Sequence, residues 1–147
     1  TVTATATDTV ALLTPTPSAA AATPVATAPA AGQAYTALAF LADLANAGAL
    51  VEAAPGRISK PYLTAPGMIA RVNGQPVQLF EYADAAALAA DVAGLAPNAS
   101  SVDGVPLVWA AAPHFWRQGG LLALAVSDDQ ALVELISRVL GAQFAGR

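Results

Sequence analysis

The pair Asn73-Gly74 constrains the fold of this chain more than any other feature of its sequence. Asn-Gly is the dipeptide best suited to the positive φ angles of a two-residue type I′ turn. On either side of it, residues 67–72 and 75–82 are rich in apolar side chains at the alternating spacing of strands. The sequence therefore predicts an antiparallel β-hairpin.

The register of this hairpin assigns its side chains to two faces, because a two-residue turn fixes which residues lie opposite one another. One face is predicted to be the core, and its pairs are Val72 with Gln75, Ala70 with Val77, and Met68 with Leu79. The other face carries Ile69, Arg71, Gln78, Phe80 and Tyr82. That mixture is predicted either to bind a partner or to be covered by a helix or by the N-terminal residues.

Three helices are predicted around the hairpin. The first, 33–47, has apolar side chains at helical spacing. The second, 85–93, follows Asp84, a residue type that favours the N-cap position. The third, 128–140, carries an apolar stripe, and residues 127–130 match the capping-box pattern of Ser followed three places later by Gln.

Short apolar runs predict further strands at 49–54, 105–111 and 121–126. Pro55-Gly56 is expected to end the first of these, and 113–120 is expected to be the turn that joins the other two as a pair. The order of elements lacks the regular alternation of strand and crossover helix. It favours an α+β fold, an antiparallel sheet of about five strands with about three helices packed on one face.

The composition changes abruptly near residue 32. Residues 1–31 are almost wholly Thr, Ala, Pro and Val, and Asp8 is their only charge. Such a segment has few large side chains to offset its ordering entropy, so it is predicted to be an extended stalk. Its first residues, 1–7, alternate like a short strand and could instead dock on a sheet edge. The predicted domains are therefore a stalk or docking tail, 1–31, and a globular domain, 32–147.

The composition excludes several classes of function. The net charge of −4 leaves no basic surface for nucleic acid. With no cysteine and one histidine, the chain has neither thiolate chemistry nor a site built on two imidazoles. The sequence also contains no nucleophile elbow and no phosphate-binding loop. We therefore expect a protein that is not an enzyme, and we predict no metal or cofactor.

The candidate functional residues are aromatic and polar side chains on turns and on the second sheet face. Within the predicted turn, His114, Phe115, Trp116 and Arg117 have the composition of an interaction hot spot. Together with Phe80 and Tyr82 they form the predicted partner-binding set. The alternative is that Phe115 and Trp116 fill one end of the fold and that His114 is structural.

Three stretches of sequence resemble a known family: IARVNGQPVQLFEYAD at 69–84, PHFWR at 113–117 and LGAQFAG at 140–146. The chain resembles, over residues 33–147, small uncharacterised bacterial lipoproteins such as those of filamentous Chloroflexi. The resemblance brings no activity and no catalytic residues. It implies an extracytoplasmic location, periplasmic or on the cell surface, and attachment to the membrane through a lipidated cysteine upstream of Thr1.

Two functions follow as expectations. The first is a non-enzymatic interaction module, an accessory subunit that docks on other protein subunits of an envelope or membrane-associated assembly. The second is a small-ligand-binding surface lipoprotein, with a pocket between sheet and helices lined by Tyr35, Phe80, Tyr82 and Trp109.

Overall fold

The computed structural model describes residues 35–147. The predicted stalk and the possible strand at 1–7 lie outside the described residues. The helices are α1 (Ala37–Asn46), α2 (Ala85–Asp91) and α3 (Gln130–Leu140). The strands are β1 (Val51–Ile58), β2 (Gly67–Val72), β3 (Gln75–Glu81), β4 (Ser101–Val102), β5 (Val105–Pro106), β6 (Pro113–Gln118), β7 (Leu121–Val126) and β8 (Ala145–Gly146).

The strands form one large antiparallel sheet and one small one. The large sheet has six strands in the order β1-β2-β3-β7-β6-β8, and β4 pairs with β5 in a separate two-stranded sheet. Every pairing is antiparallel. The predicted α+β class, an antiparallel sheet with three helices, is confirmed.

The hairpin between β2 and β3 has the predicted register. Val72 lies opposite Gln75, and Met68 lies opposite Leu79. Asn73 and Gly74 have φ angles of 51° and 83°, as a type I′ turn requires. The dipeptide therefore determines which residues of both strands enter the core.

Helices cover both faces of the sheet, which corrects the expectation that they pack on one. On one face, α1 and α3 pack on the predicted core face of the hairpin, with Phe40, Leu44, Leu132 and Ile136 buried between them. On the other face, α2 and the segments 59–66 and 92–112 cover the sheet. The buried side chains there are Leu63, Phe80, Tyr82, Leu88, Val92, Phe115, Leu122 and Leu124. The fold therefore has three layers.

Strand β1 is longer than predicted. Pro55 and Gly56 do not end it, because they form a bulge: Ala54 pairs with Ile69, and the next pair is Arg57 with Met68. A bulge at an edge strand tolerates proline, since the lost N–H faces no neighbouring strand.

Strand β6 occupies the residues that were predicted to be a turn. It pairs with β7 through a tight turn at Gly119-Gly120, so the predicted pairing of 105–111 with 121–126 is wrong. An added Cβ at Gly120 would lie 2.5 Å from the carbonyl oxygen of Tyr82, which explains the glycine there. Only residues 105 and 106 of the predicted strand 105–111 are extended, in β5.

The N-cap predicted for α2 is confirmed, and the N-cap of α3 lies two residues further along the chain than predicted. Asp84 caps α2 by accepting a hydrogen bond from the backbone N–H of Ala87 at 2.7 Å. The cap of α3 is Asp129 rather than Ser127, and Asp129 accepts from the N–H groups of Ala131 and Leu132. The carboxylate of Asp129 lies closer to the N-terminus of α3, where the partial positive charge of the helix is greatest.

Candidate functional site: the hydrophobic segment 105–112

The predicted partner-binding residues do not form an exposed patch. Phe80, Tyr82, His114, Phe115 and Trp116 are all buried. Arg117 alone among the predicted six is exposed. The reason is the position of β6, which lies between β7 and β8 and is covered on both faces. The expectation of an exposed aromatic surface is therefore wrong.

Successive side chains of β6 point to opposite faces of the sheet, so Phe115 and Trp116 enter different cores. Trp116 lies in the core under α1 and α3, and its Nε1 donates to Oγ of Ser137 on α3 at 3.0 Å. Phe115 points to the opposite face, where it contacts Trp109 and Phe144 edge to face. Both rings therefore stabilise the fold, which was the alternative that the sequence left open.

His114 joins three parts of the chain. Its Nδ1 lies 2.7 Å from Oε1 of Gln143, and its Nε2 lies 3.1 Å from the carbonyl oxygen of Ser127. Both ring nitrogens have a protein partner, and the side chain is buried. These contacts hold the C-terminal residues and the β7–α3 connection against β6, a structural arrangement.

Arg117 lies at the edge of the aromatic cluster. Its guanidinium carbon is 4.8 Å from the centroid of the Phe144 ring, within the range of a cation–π interaction. The planar cation is therefore held against an aromatic face while its side chain stays exposed.

Tyr82 and Asp91 tie α2 to the sheet. The Tyr82 hydroxyl donates to Oδ2 of Asp91 at 2.5 Å, and the same oxygen accepts from the backbone N–H of Thr64 at 2.8 Å. Burial, with this hydrogen bond and the charge of Asp91, raises the pKa of Tyr82. The hydroxyl is thereby held protonated as a donor.

The most distinctive surface of the described residues is the segment 105–112, which we call the hydrophobic segment. Its sequence is VPLVWAAA, eight consecutive apolar residues, and none of the eight is buried. Val108 is 96% exposed and Val105 is 64% exposed. Positions 105, 106, 108 and 110 are exposed, and the other four are half-buried. Apolar side chains clustered at the surface in this way are uncommon unless they serve a function.

The hydrophobic segment has little regular structure but is anchored to the domain. The backbone N–H of Leu107 donates to the carbonyl of Ser100 at 2.8 Å. Nε1 of Trp109 donates to the carbonyl of Ala99 at 2.6 Å. The Trp109 ring also meets Phe115 and Tyr62 edge to face, with centroids 5.8 Å and 6.5 Å away. Trp109 therefore points inward, while Val108 beside it points into solvent.

Three clefts of about 500 to 520 Å³ adjoin the hydrophobic segment, and Leu107 lines each of them. They differ in charge. The first, the lysine cleft, includes Lys60, Tyr62, Gln78 and Trp109. The second, the aspartate cleft, includes Tyr62, Asp91, Asp103 and Val105. The third, the C-terminal cleft, includes Val108, Trp109, Asp128 and Arg147.

Two polar groups in these clefts lie in surroundings of low polarity. Burial raises the pKa of the Tyr62 phenol to about 12. Oε1 of Gln78 is buried without a hydrogen-bond partner among the described residues. Burying an unpaired amide oxygen costs about 1 to 3 kcal/mol, so Gln78 is held there at the expense of stability.

The strand predicted at 105–111 would bury Val105, Leu107 and Trp109 together, because alternate residues of a strand share one face. That interpretation is wrong for Val105 and holds in part for Trp109, which is half-buried against the core. The signal available in the sequence was the lack of alternation, because a half-buried strand seldom has eight apolar residues in succession.

The structure offers no metal-binding cluster of three or more His, Asp or Glu side chains within residues 35–147. In the same range, none of the helices has the length and apolar character needed to cross a bilayer. Comparison of the chain with models of protein families, with curated proteins and with solved structures found no match.

Proposed function

We propose that this chain is a non-enzymatic protein-binding module, an accessory subunit that docks on other subunits of an extracytoplasmic assembly through the hydrophobic segment. The observation that carries the proposal is the eight-residue apolar run of which no residue is buried. Contiguous exposed apolar surface is retained mainly where another molecule covers it.

The energetics of the segment suit a binding site. Covering an exposed Val side chain completely stabilises a complex by about 1.5 to 3 kcal/mol, and Val105 and Val108 lie in the same segment. The hydrogen bonds of Leu107 and Trp109 hold the backbone in place before binding. A preorganised surface loses less conformational entropy when its partner arrives, which raises affinity.

The clefts beside the segment favour a partner with protruding side chains. Each is large enough to receive side chains of a docked chain, and the rims carry Lys60, Asp103 and Arg147. Charges at the rim of an apolar contact select among partners more than they add affinity. The partner surface is therefore apolar with both signs of charge at its border.

The extracytoplasmic location rests on two features of the sequence. These are the Thr/Ala/Pro composition of residues 1–31 and the resemblance to small bacterial lipoproteins. An extended tether with few charges suits a domain that stands away from its point of attachment. A lipid anchor upstream of Thr1 would bring the domain to a membrane surface.

One observation favours small-ligand binding as a second candidate function. The lysine cleft combines two aromatic rings, Tyr62 and Trp109, with one cation, Lys60, and its volume of about 500 Å³ is that of a small-molecule site. The ligand would be an anion with an apolar body. The pocket expected to be lined by Tyr35, Phe80, Tyr82 and Trp109 does not form, because Phe80 and Tyr82 are buried in one core and Tyr35 packs against the other.

The size of the native protein distinguishes these two functions. The protein is extracted from its source in mild detergent, separated by native electrophoresis, and identified by mass spectrometry. A protein-binding subunit migrates in a complex with other chains, in stoichiometric amounts. Migration near 14.6 kDa would contradict the docking proposal, and a thermal shift screen with apolar anions would then test the lysine cleft.

A further inference from the structure

The lysine cleft contains a cation and no acidic group. Lys60, the only lysine of the chain, lines it and is half-buried. No Asp or Glu among residues 35–147 lines the cleft. Because a half-buried ammonium is less screened by water than an exposed one, it attracts an anion more strongly. The charge of the cleft therefore suits a carboxylate.

Gln78, which also lines the cleft, is the one polar residue of a row that crosses all six strands of the large sheet. The row consists of Ala54, Ile69, Gln78, Leu124, Phe115 and Ala145. Oε1 of Gln78 is buried without a hydrogen-bond partner within residues 35–147, so the amide costs stability at this position. Its retention is explained if the amide nitrogen donates to a ligand in the cleft.

The rest of the cleft is a surface for an apolar side chain. The rings of Tyr62 and Trp109 meet edge to face, with centroids 6.5 Å apart, and Val126 lies beside them. Every lining residue is exposed or half-buried, so a ligand can reach all of them. A volume of about 500 Å³ accommodates one large apolar side chain together with a carboxylate.

The cleft is continuous with the hydrophobic segment. Val108 and Ala110 belong to both and are exposed, whereas Leu107 and Trp109 are half-buried. This alternation is that of an extended chain, in which successive side chains point to opposite sides. A ligand in the cleft is therefore next to the surface on which we propose that a partner chain docks.

We infer that the lysine cleft binds the C-terminal residue of the partner chain. The terminal carboxylate accepts hydrogen bonds from Nζ of Lys60 and Nε2 of Gln78, and the last side chain, large and apolar, packs on Tyr62 and Trp109. The preceding residues of the partner lie on the hydrophobic segment. Capture of a C-terminal carboxylate is a recurrent mode of peptide recognition. This inference rests on the proposed function, because it specifies which part of the partner docks.

Two labelled hexapeptides test the inference. Both have the sequence Gly-Ser-Val-Ala-Val-Phe with fluorescein at the N-terminus, and one ends in a free carboxylate whereas the other ends in a carboxamide. Fluorescence polarisation with the full chain measures their dissociation constants. We expect the acid to bind about tenfold more tightly than the amide, because a charged hydrogen bond is stronger than a neutral one. Equal affinities, or no binding of either peptide, would overturn the inference.

Lys60→Gln should remove the preference for the acid. Its affinity for the acid should fall about tenfold, and its affinity for the amide should not change. The matched control is Arg138→Gln, which removes the same charge from the exposed side of α3, on the other face of the sheet. An equal loss in this control would be an effect of net charge and would contradict the inference.

Gln78→Met gives two readouts of opposite sign. The midpoint of urea denaturation should rise, because the variant lacks the buried unpaired oxygen. The affinity for the acid should fall by about threefold or more, because one donor is lost. A lower midpoint with unchanged affinity would show that Gln78 serves the fold alone and would contradict its role in the cleft.

Val108→Ser separates this inference from the proposed function, because it reduces the apolar surface and leaves the charge of the cleft as it is. It should weaken both peptides alike, by about threefold or more. Such a loss without any preference for the acid would overturn the inference and leave docking on the hydrophobic segment intact, whereas unchanged affinities would contradict the proposed function. N-acetylphenylalanine that binds as tightly as the hexapeptide acid would also overturn the inference, since the occupant would then be a small acid.

Discussion

The carboxylate of Glu81, at the end of β3, accepts a hydrogen bond from the backbone N–H of Ala37, the first residue of α1, at 2.7 Å. The N–H groups of a helix's first turn have no partner within the helix. The Thr36 hydroxyl is the partner of the Ala39 N–H, at 3.2 Å. Glu81, 44 residues away in sequence, is the partner of the Ala37 N–H. The start of α1 is therefore defined jointly by a local cap and by the sheet.

Removing the Glu81 acceptor should destabilise the domain. We expect Glu81→Ala to lower the free energy of unfolding by about 1 kcal/mol, since one helix-terminal N–H loses its partner. Glu81→Gln keeps an acceptor oxygen and should lose about half of that or less. Urea denaturation measures both, with the exposed Glu52→Ala as control. Equal losses in all three variants would contradict a capping role.

Trp116 should be essential for folding rather than for docking. A Trp116 that only contacts a partner, as in the predicted partner-binding set, could be replaced by Ala without unfolding the domain. Because the ring is fully buried, we now expect Trp116→Ala to lower the free energy of unfolding by about 3 to 5 kcal/mol. Trp116→Phe keeps most of the side-chain volume but loses the hydrogen bond to Ser137. The loss of that bond should lower the free energy of unfolding by about 1 kcal/mol.

The measurement uses the fluorescence of Trp109, the tryptophan that remains in both variants. Ser137→Ala is the matched change at the other end of the hydrogen bond and should cost about as much as Trp116→Phe. A Trp116→Ala variant with unchanged stability would refute the burial of this ring.

The local signals of the sequence were sufficient for the hairpin and for the N-cap of α2. Asn73-Gly74 determined the register of β2 and β3, and Asp84 determined the start of α2, because both act through contacts within a few residues. The third helix was also found, but its cap was placed at Ser127 instead of Asp129, since both side chains are acceptors: Oγ of Ser127 accepts from the N–H of Asp129, and Oδ1 of Asp129 accepts from the N–H of Ala131.

The region 105–120 could not be predicted in the same way. An unbroken apolar run is compatible with a buried strand, and Pro113 suggested a turn. Its true neighbours are β7, the C-terminal residues and α3, through contacts such as His114 with Gln143, 29 residues apart. Such long-range pairing decided that the aromatic residues of 113–117 are core and that 105–112 is only partly covered.

The three tyrosines make stability sensitive to alkaline pH. Burial, with the hydrogen bond and charge of Asp43, raises the pKa of Tyr35, and burial raises the pKa of Tyr62 to about 12. The pKa of Tyr82 is raised as well. A raised pKa in the folded state means that the unfolded chain loses the proton first. The stabilising effect is thus complete below pH 10 and is lost as the pH rises through the folded-state values.

Titration of the tyrosine absorbance checks this prediction. The chain has three tyrosines, so the folded protein should show almost no ionisation at pH 10, where the denatured chain is half ionised. Denaturation midpoints should fall from pH 10 to pH 12, and Tyr82→Phe should make that fall shallower. A folded protein that titrates like the denatured one would contradict the burial of these phenols.

The central claim, that the hydrophobic segment binds a partner protein, is tested most directly by the affinity of Val108→Asp for the chain that co-purifies with this protein. The matched control is Leu38→Asp, another exposed apolar position, in the first turn of α1, where an acidic residue suits the helix. Calorimetry with the purified partner gives the dissociation constants. We predict an increase of about tenfold or more for Val108→Asp and no change for Leu38→Asp. Unchanged affinity in Val108→Asp would contradict the claim.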